Sequence, residues 1–100
     1  MKKGYCIILL DVEDDDLYVE YAHGATEIEA KYGGRALVAA DVDDVIEGEW
    51  PSQRVVVLEF PSLAMAKRWY SDPDYSELIL LRQRATRSTQ LFVEGFGEAD

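Results

Sequence analysis

An α+β domain with the element order β-α-β-β-α-β is what this sequence predicts, and three observations carry that reading. Residues 5–10 and 54–60 are the most apolar runs in the chain and are rich in β-branched residues, as central strands buried on both faces are. Between them, Leu17, Tyr21, Ala25, Ile28 and Tyr32 step by three or four residues and mark the buried stripe of a helix. In the second half, Pro61-Ser62 and Asp72-Pro73 are helix-start signals.

The composition narrows the partners. One hundred residues fit a single domain, 1–100, whose modest core an oligomer contact would help. Twenty acidic residues against ten basic ones give a formal net charge of −10. That field repels phosphate backbones and anionic membranes, so no nucleic-acid and no membrane partner is expected. The apolar run that starts at Tyr5 stops at Asp11, too short for the core of an export signal. Cys6, the single cysteine, cannot form an internal disulfide, and a cytoplasmic protein is expected.

Residues 5–10 form the first strand. Residues 11–16 then hold five acids around Val12. Carboxylates suit the positive end of a helix, so this run reads as a helix start and a solvated surface rather than a metal site. The first helix is expected over about 14–32, ended by Gly33-Gly34, because glycine accepts the left-handed conformation at a helix end. His23, the one histidine, lies off the apolar stripe beside Glu20 and Glu27, where a solvated face with weak ion pairs is favoured over a catalytic role.

Residues 35–40 are the second strand, more polar at its start. Residues 41–53 are a long acidic connection. Asp41, Asp43 and Asp44 suggest calcium, but the EF-hand loop needs an oxygen ligand at its fifth position and glycine at its sixth, where Val45 and Ile46 stand. Residues 54–60 are the third strand. Pro61 blocks further pairing, and Ser62 caps a helix over 63–70. Asp72 and Pro73 open a second helical piece reaching about residue 85. Residues 88–94 are the fourth strand, followed by a loose tail over 95–100.

This order is the ferredoxin-like pattern, a four-stranded antiparallel sheet in the order 4-1-3-2. Strands one and three take the central positions, as their apolar character requires. The helices cover one face of the sheet, yet these two strands are apolar on both, so the second face needs a cover. A second copy packing sheet to sheet supplies it and makes a symmetric homodimer. A hetero-partner or a lipid-like ligand is the alternative.

Few residues carry chemistry. Cys6 sits inside a core strand and reads as an inert small hydrophobe. The sequence has no His/Cys metal cluster and no glycine-rich phosphate loop, and haem would have to use His23, so no metal and no cofactor is expected. Three polar residues stand in apolar company. Glu59 lies in a central strand, and if Ala40 faces Arg54 across strands two and three, then Arg35 faces Glu59 as a cross-strand ion pair. Arg82 falls on the stripe Tyr75, Leu78, Ile79, Arg82 of the last helix, from which its guanidinium could hold a carboxylate bidentately. Glu47 lies in the central loop near Trp50. Two readings stand for all three: an ion-pair network that fixes loop and helix, or a small-molecule pocket with a charged anchor. Trp69 and Tyr75 read first as core. Trp50 reads as part of the dimer contact or as the cap of a pocket mouth.

The phrases Tyr32-Gly33-Gly34-Arg35, Glu47-Gly48-Glu49-Trp50, Arg54 through Glu59-Phe60-Pro61-Ser62, Ala66, Trp69-Tyr70, Asp72-Pro73-Asp74-Tyr75, Leu78, Arg82 and Val93-Glu94-Gly95 together resemble the bacterial domain of unknown function 1330 family over nearly the whole chain. The resemblance implies a ferredoxin-like dimeric α/β-barrel. It implies superfamily relatives among cofactor-free monooxygenases, muconolactone isomerases and ligand-binding regulators, but no agreed activity. Two positions depart from the family pattern: Ala40 stands where an arginine is usual, and Tyr32 where a histidine is frequent. The positions that match, Glu47, Trp50, Arg54, Glu59, Trp69, Tyr75 and Arg82, are the family's implied site, to which the residue reading adds Arg35.

The function expected is therefore a small-molecule, anionic pocket between sheet and helices, open to cofactor-independent catalysis. Glu59 or Glu47 would act as base or orienting group, and Arg82 or Arg54 would hold the anion. The alternative is a non-catalytic dimeric binding or interaction module whose polar residues are structural. Glu59 and Arg82 pointing into one cavity would favour the first.

Overall fold

The computed structural model describes residues 1–97. Its elements are β1 (Gly4–Val12), α1 (Asp15–Lys31), β2 (Arg35–Asp41), β3 (Arg54–Phe60), α2 (Leu63–Tyr70), α3 (Pro73–Ala85) and β4 (Thr86–Glu94). The strands form one antiparallel sheet in the order β2-β3-β1-β4, the ferredoxin-like arrangement with the two most apolar strands at its centre.

Each helix starts where its side chains can satisfy free backbone N–H groups. Asp14 accepts from the Leu17 N–H at 3.1 Å, and Ser62 from that of Met65 at 3.2 Å. Asp72 accepts from the Asp74 N–H at 2.7 Å, with Pro73 at the first helical position. The Asp72 carboxylate also accepts from the Tyr32 hydroxyl at 2.6 Å and from the Lys31 ammonium at 2.9 Å, tying the end of α1 to the start of α3. These bonds hold its carboxyl down at about 2. Gly33, at φ +75°, takes the left-handed conformation that ends α1, and the Gly34 N–H returns to the Glu29 carbonyl at 2.8 Å.

Residues alternate across the sheet, and one face carries the core. Cys6, Ile8 and Leu10 of β1 and Leu58 and Phe60 of β3 are buried beneath Ala66, Trp69 and Tyr75 of the helical layer. The Trp69 ring lies 5.2 Å from Phe60 and 4.7 Å from Tyr75, centroid to centroid, so aromatic packing fixes α2 and α3 on the sheet. The other face presents Tyr5, Ile7 and Leu9 of β1 with Val55, Val57 and Glu59 of β3. Val38 and Ala40 of β2 and Leu91 and Val93 of β4 extend it. No described helix covers it.

Several bounds move from the sequence expectation. The first strand runs past Leu10 to Val12, because β4 begins at Thr86 rather than Ser88 and pairs with it there. Thr86 ends α3 and begins β4 at once: its backbone is extended, while its hydroxyl still donates to the Arg82 carbonyl at 2.8 Å. Arg35 does face Glu59, but Ala40 faces Val55 and not Arg54. A bulge between Ala36 and Val38 shifts the register by one residue and puts Asp41 opposite Arg54. Of the expected tail, Gly95 is tied by its N–H to the Lys3 carbonyl at 2.7 Å. Residues 98–100 lie outside the described residues. Among those described, no helix is long and apolar enough to cross a membrane.

Candidate functional site

Helix α1 packs mainly on α3, and every residue of β2 is exposed. A cleft of about 190 Å³ therefore opens between α1 and the β2–β3 half of the sheet. Its floor is apolar, made by Ile8, Leu10, Val56 and Leu58 with Ala36 and Ala39 at the edge. Its wall is the inner face of α1, with Tyr18, Tyr21, Ala25 and Glu29. Two arginines, Arg54 and Arg82, bring positive charge to it.

Arg82 is the unusual residue of this site. It is only 4% exposed. Its Nη1 donates to the Tyr75 hydroxyl at 3.1 Å, and that hydroxyl lies 2.5 Å from the Tyr21 hydroxyl. A guanidinium has donors only, so the Gln90 amide turns its oxygen toward it and accepts from Nη1 and Nε, each at 3.0 Å. All these partners are neutral. Among the described residues no carboxylate lies within ion-pair distance of Arg82. A buried charge without a counter-charge is costly, and Arg82 lines both this apolar cleft and a more polar hollow shared with Tyr70, Thr86, Ser88 and Gln90. Burial works against the charged guanidinium, and the phenol oxygens of Tyr75, Tyr70 and Tyr21 favour it more strongly.

Arg54 projects from β3 on the same side. Its guanidinium lies 5.9 Å from the Tyr18 ring centre and 3.7 Å from the Asp41 carboxylate. Its Nε is buried with no hydrogen-bond partner among the described residues. The arginines approach the cleft from two sides, one on the helical layer and one on the sheet, and Arg54 has donor capacity to spare.

Glu29 was missed by the sequence reading. It is half-buried on the cleft wall, one helical turn beyond Ala25, and burial pushes its carboxyl up to about 7. The signal was present: Tyr21, Ala25 and Glu29 step by four along the buried stripe, where a solvated glutamate does not belong. Tyr21, read from its spacing as part of the apolar stripe, and Tyr18, which the sequence reading left unassigned, also line the cleft. Cys6 lies below; burial raises its thiol to about 12, which leaves it inert.

The remaining expected residues lie elsewhere. Glu59 does not share a cavity with Arg82: it pairs with Tyr5 on the opposite face of the sheet. There it accepts from the Tyr5 hydroxyl at 3.0 Å and from Arg35 Nε at 3.1 Å, with Lys3 Nζ at 3.6 Å. Burial pushes its carboxyl up, but these donors outweigh burial and leave it below the usual value. Glu47 and Trp50 are in the loop after β2 and line a shallow hollow with Val38, Ala40 and Val55, on the Glu59 side of the sheet. Trp69 is fully buried core with an unpaired Nε1, and Tyr75 reaches the site only through its hydroxyl. Among the described residues no group of three or more His, Cys, Asp or Glu side chains is placed to hold a metal ion.

A family model described as Domain of unknown function (DUF1330) matches residues 3–96. Among solved structures, a protein of unknown function from Rhodopseudomonas palustris superposes with a TM-score of 0.80 at 17% identity, covering 97% of this chain and 85% of that one. The cofactor-independent oxygenase SnoaB from Streptomyces nogalater superposes with a TM-score of 0.69 at 8% identity, covering 100% and 96%. A dimeric ferredoxin-like protein of unknown function from Thermobifida fusca does so with 0.57 at 12%, covering 93% and 89%. At these identities the likeness establishes the fold. No curated protein matches the chain.

Proposed function

We propose a function for this chain, which belongs to the DUF1330 family, the domains of unknown function 1330: each protomer binds a small monoanionic molecule with an apolar body in the cleft beneath α1. The observation that carries this reading is the Arg82 guanidinium, buried against the cleft with neutral partners alone. The apolar floor takes the body of the ligand, Tyr18 and Tyr21 flank it, and Arg82 with Arg54 receives the anion. A site of this kind suits cofactor-independent turnover, the activity named for the fold neighbour SnoaB.

The reading includes a homodimer through the uncovered sheet face. The uncovered face is apolar, with Val38, Leu91 and Val93 exposed beside Ile7, Leu9, Val55 and Val57, as suits an association surface. The Thermobifida fusca neighbour is itself described as dimeric. Glu59, Arg35 and Trp50 then belong to the interface side. The satisfied ion pairs of Glu59 with Arg35 and Lys3 favour the second reading for that half of the molecule, a scaffold rather than a site.

A thermal-shift screen with small carboxylic acids, lactones and quinones tests the cleft. A saturable upward shift in Tm, absent in an Arg82 variant that remains folded, is the expected result. No shift from any compound leaves the non-catalytic dimeric module as the better account.

A further inference from the structure

Glu29 faces the same cleft as Arg82 and has no use in a scaffold. It makes no side-chain hydrogen bond and no ion pair among the described residues, although both arginines of the site line the cavity with it. The charged and titratable groups facing it are Tyr18 and Tyr21 of its own helix, Arg54 of β3, Arg82 of α3 and Cys6 of β1. None of them is a carboxylate, and none pairs with it. A glutamate placed on the buried stripe of α1 without a cation is costly when ionised and inexpensive when protonated.

We propose that Glu29 is the proton-carrying anchor of the cleft: the anion sits on Arg82, and protonated Glu29 on the α1 wall donates a hydrogen bond to an oxygen of the same anion. Binding is then coupled to protonation. An ionised Glu29 would place a second negative charge in a small, largely apolar cavity that already holds the ligand anion, and like charges at such a site disfavour each other. The ligand class this selects is a carboxylate monoanion with an apolar body, whose oxygens accept from both Arg82 and protonated Glu29. A dianion would bring a further charge against a carboxyl that must stay neutral. Burial, which pushes the Glu29 carboxyl up to about 7, puts the switch within the neutral pH range.

This inference rests on the anion-pocket reading, and the test separates the two. The probe is benzoate, titrated calorimetrically into the wild-type protein, Glu29→Gln and Arg82→Met at pH 6.0 and pH 8.5; benzoate stays anionic throughout. With a carboxyl titrating at about 7 that must be protonated, the wild-type Kd should weaken roughly thirtyfold between the two pH values, as the competent fraction falls. Glu29→Gln keeps the hydrogen-bond donor and cannot ionise, so its Kd should change less than about twofold. Wild-type binding that depends on Arg82 but not on pH would overturn the role of Glu29 and leave the pocket standing. The same pH dependence in Glu29→Gln as in wild type would also overturn it. No benzoate binding at either pH would overturn the pocket and this inference together.

Discussion

The Arg82 guanidinium donates to the Tyr75 hydroxyl at 3.1 Å, and that hydroxyl in turn meets Tyr21 on the cleft wall. The arrangement holds a positive charge rigidly without cancelling it. Glu59, the carboxylate of the central strands, is on the far side of the sheet and committed to Tyr5 and Arg35. The polar residues thus divide into two groups. One is electrostatically closed and lies on the uncovered face. The other, Arg82 with Arg54 and Glu29, is open toward a cavity.

An uncancelled buried charge makes a distinctive stability prediction. Arg82→Met removes the charge and keeps most of the volume, so Tm should stay level or rise. Arg82→Ala should cost about 2–4 kcal/mol, because it leaves a cavity beside Tyr75. Thermal unfolding of both variants checks this. A large loss in Arg82→Met would mean that the guanidinium is a structural hub.

Glu29 should leave its mark on stability without any ligand. Its carboxyl titrates at about 7 when folded, against 4.5 in its unperturbed state. The folded protein therefore holds a proton across that window which the unfolded chain has released, and stability falls as pH rises through it. Glu29→Gln should raise Tm over wild type at pH 8 and give little gain at pH 4.

Asp72 works with the opposite sign. Its carboxyl is held at about 2, below the ordinary 3.8, by Tyr32, Lys31 and the Asp74 N–H. That contribution is present above about pH 4 and is lost as pH falls toward 2. Asp72→Asn should be less stable than wild type at pH 7 and should show a shallower acid-unfolding limb, measured by circular dichroism.

Val57 sits at the middle of the uncovered sheet face, opposite Ile7 and beside Val38. Val57→Glu should change the mass in sedimentation equilibrium from about twice 11.3 kDa to 11.3 kDa, with the fold retained. The cleft residues are on the other face, so benzoate affinity should survive.

Much of the fold was legible because its signals are local. Pro61-Ser62 and Asp72-Pro73 placed α2 and α3 at their observed limits, and apolar runs placed β3 at its own. The Arg35–Glu59 pairing came out as expected, but for an incomplete reason: a bulge near Leu37 shifts the register between Glu59 and Arg54, and no residue type announces it. The candidate site was less legible. A strand apolar on both faces does not reveal which face a single carboxylate occupies, so Glu59 could not be separated from Arg82. Glu29 steps by four from Tyr21 and Ala25 on the stripe of α1, but that spacing alone does not reveal the cleft beneath it.

The central claim is that Arg82 is a charge kept for an anion. Calorimetric titration of benzoate into wild type and Arg82→Met at pH 6 tests it most directly. The account predicts saturable one-site binding to the wild type and none to an Arg82→Met protein whose Tm is level or higher. Equal binding to both, or none to the wild type, would contradict it.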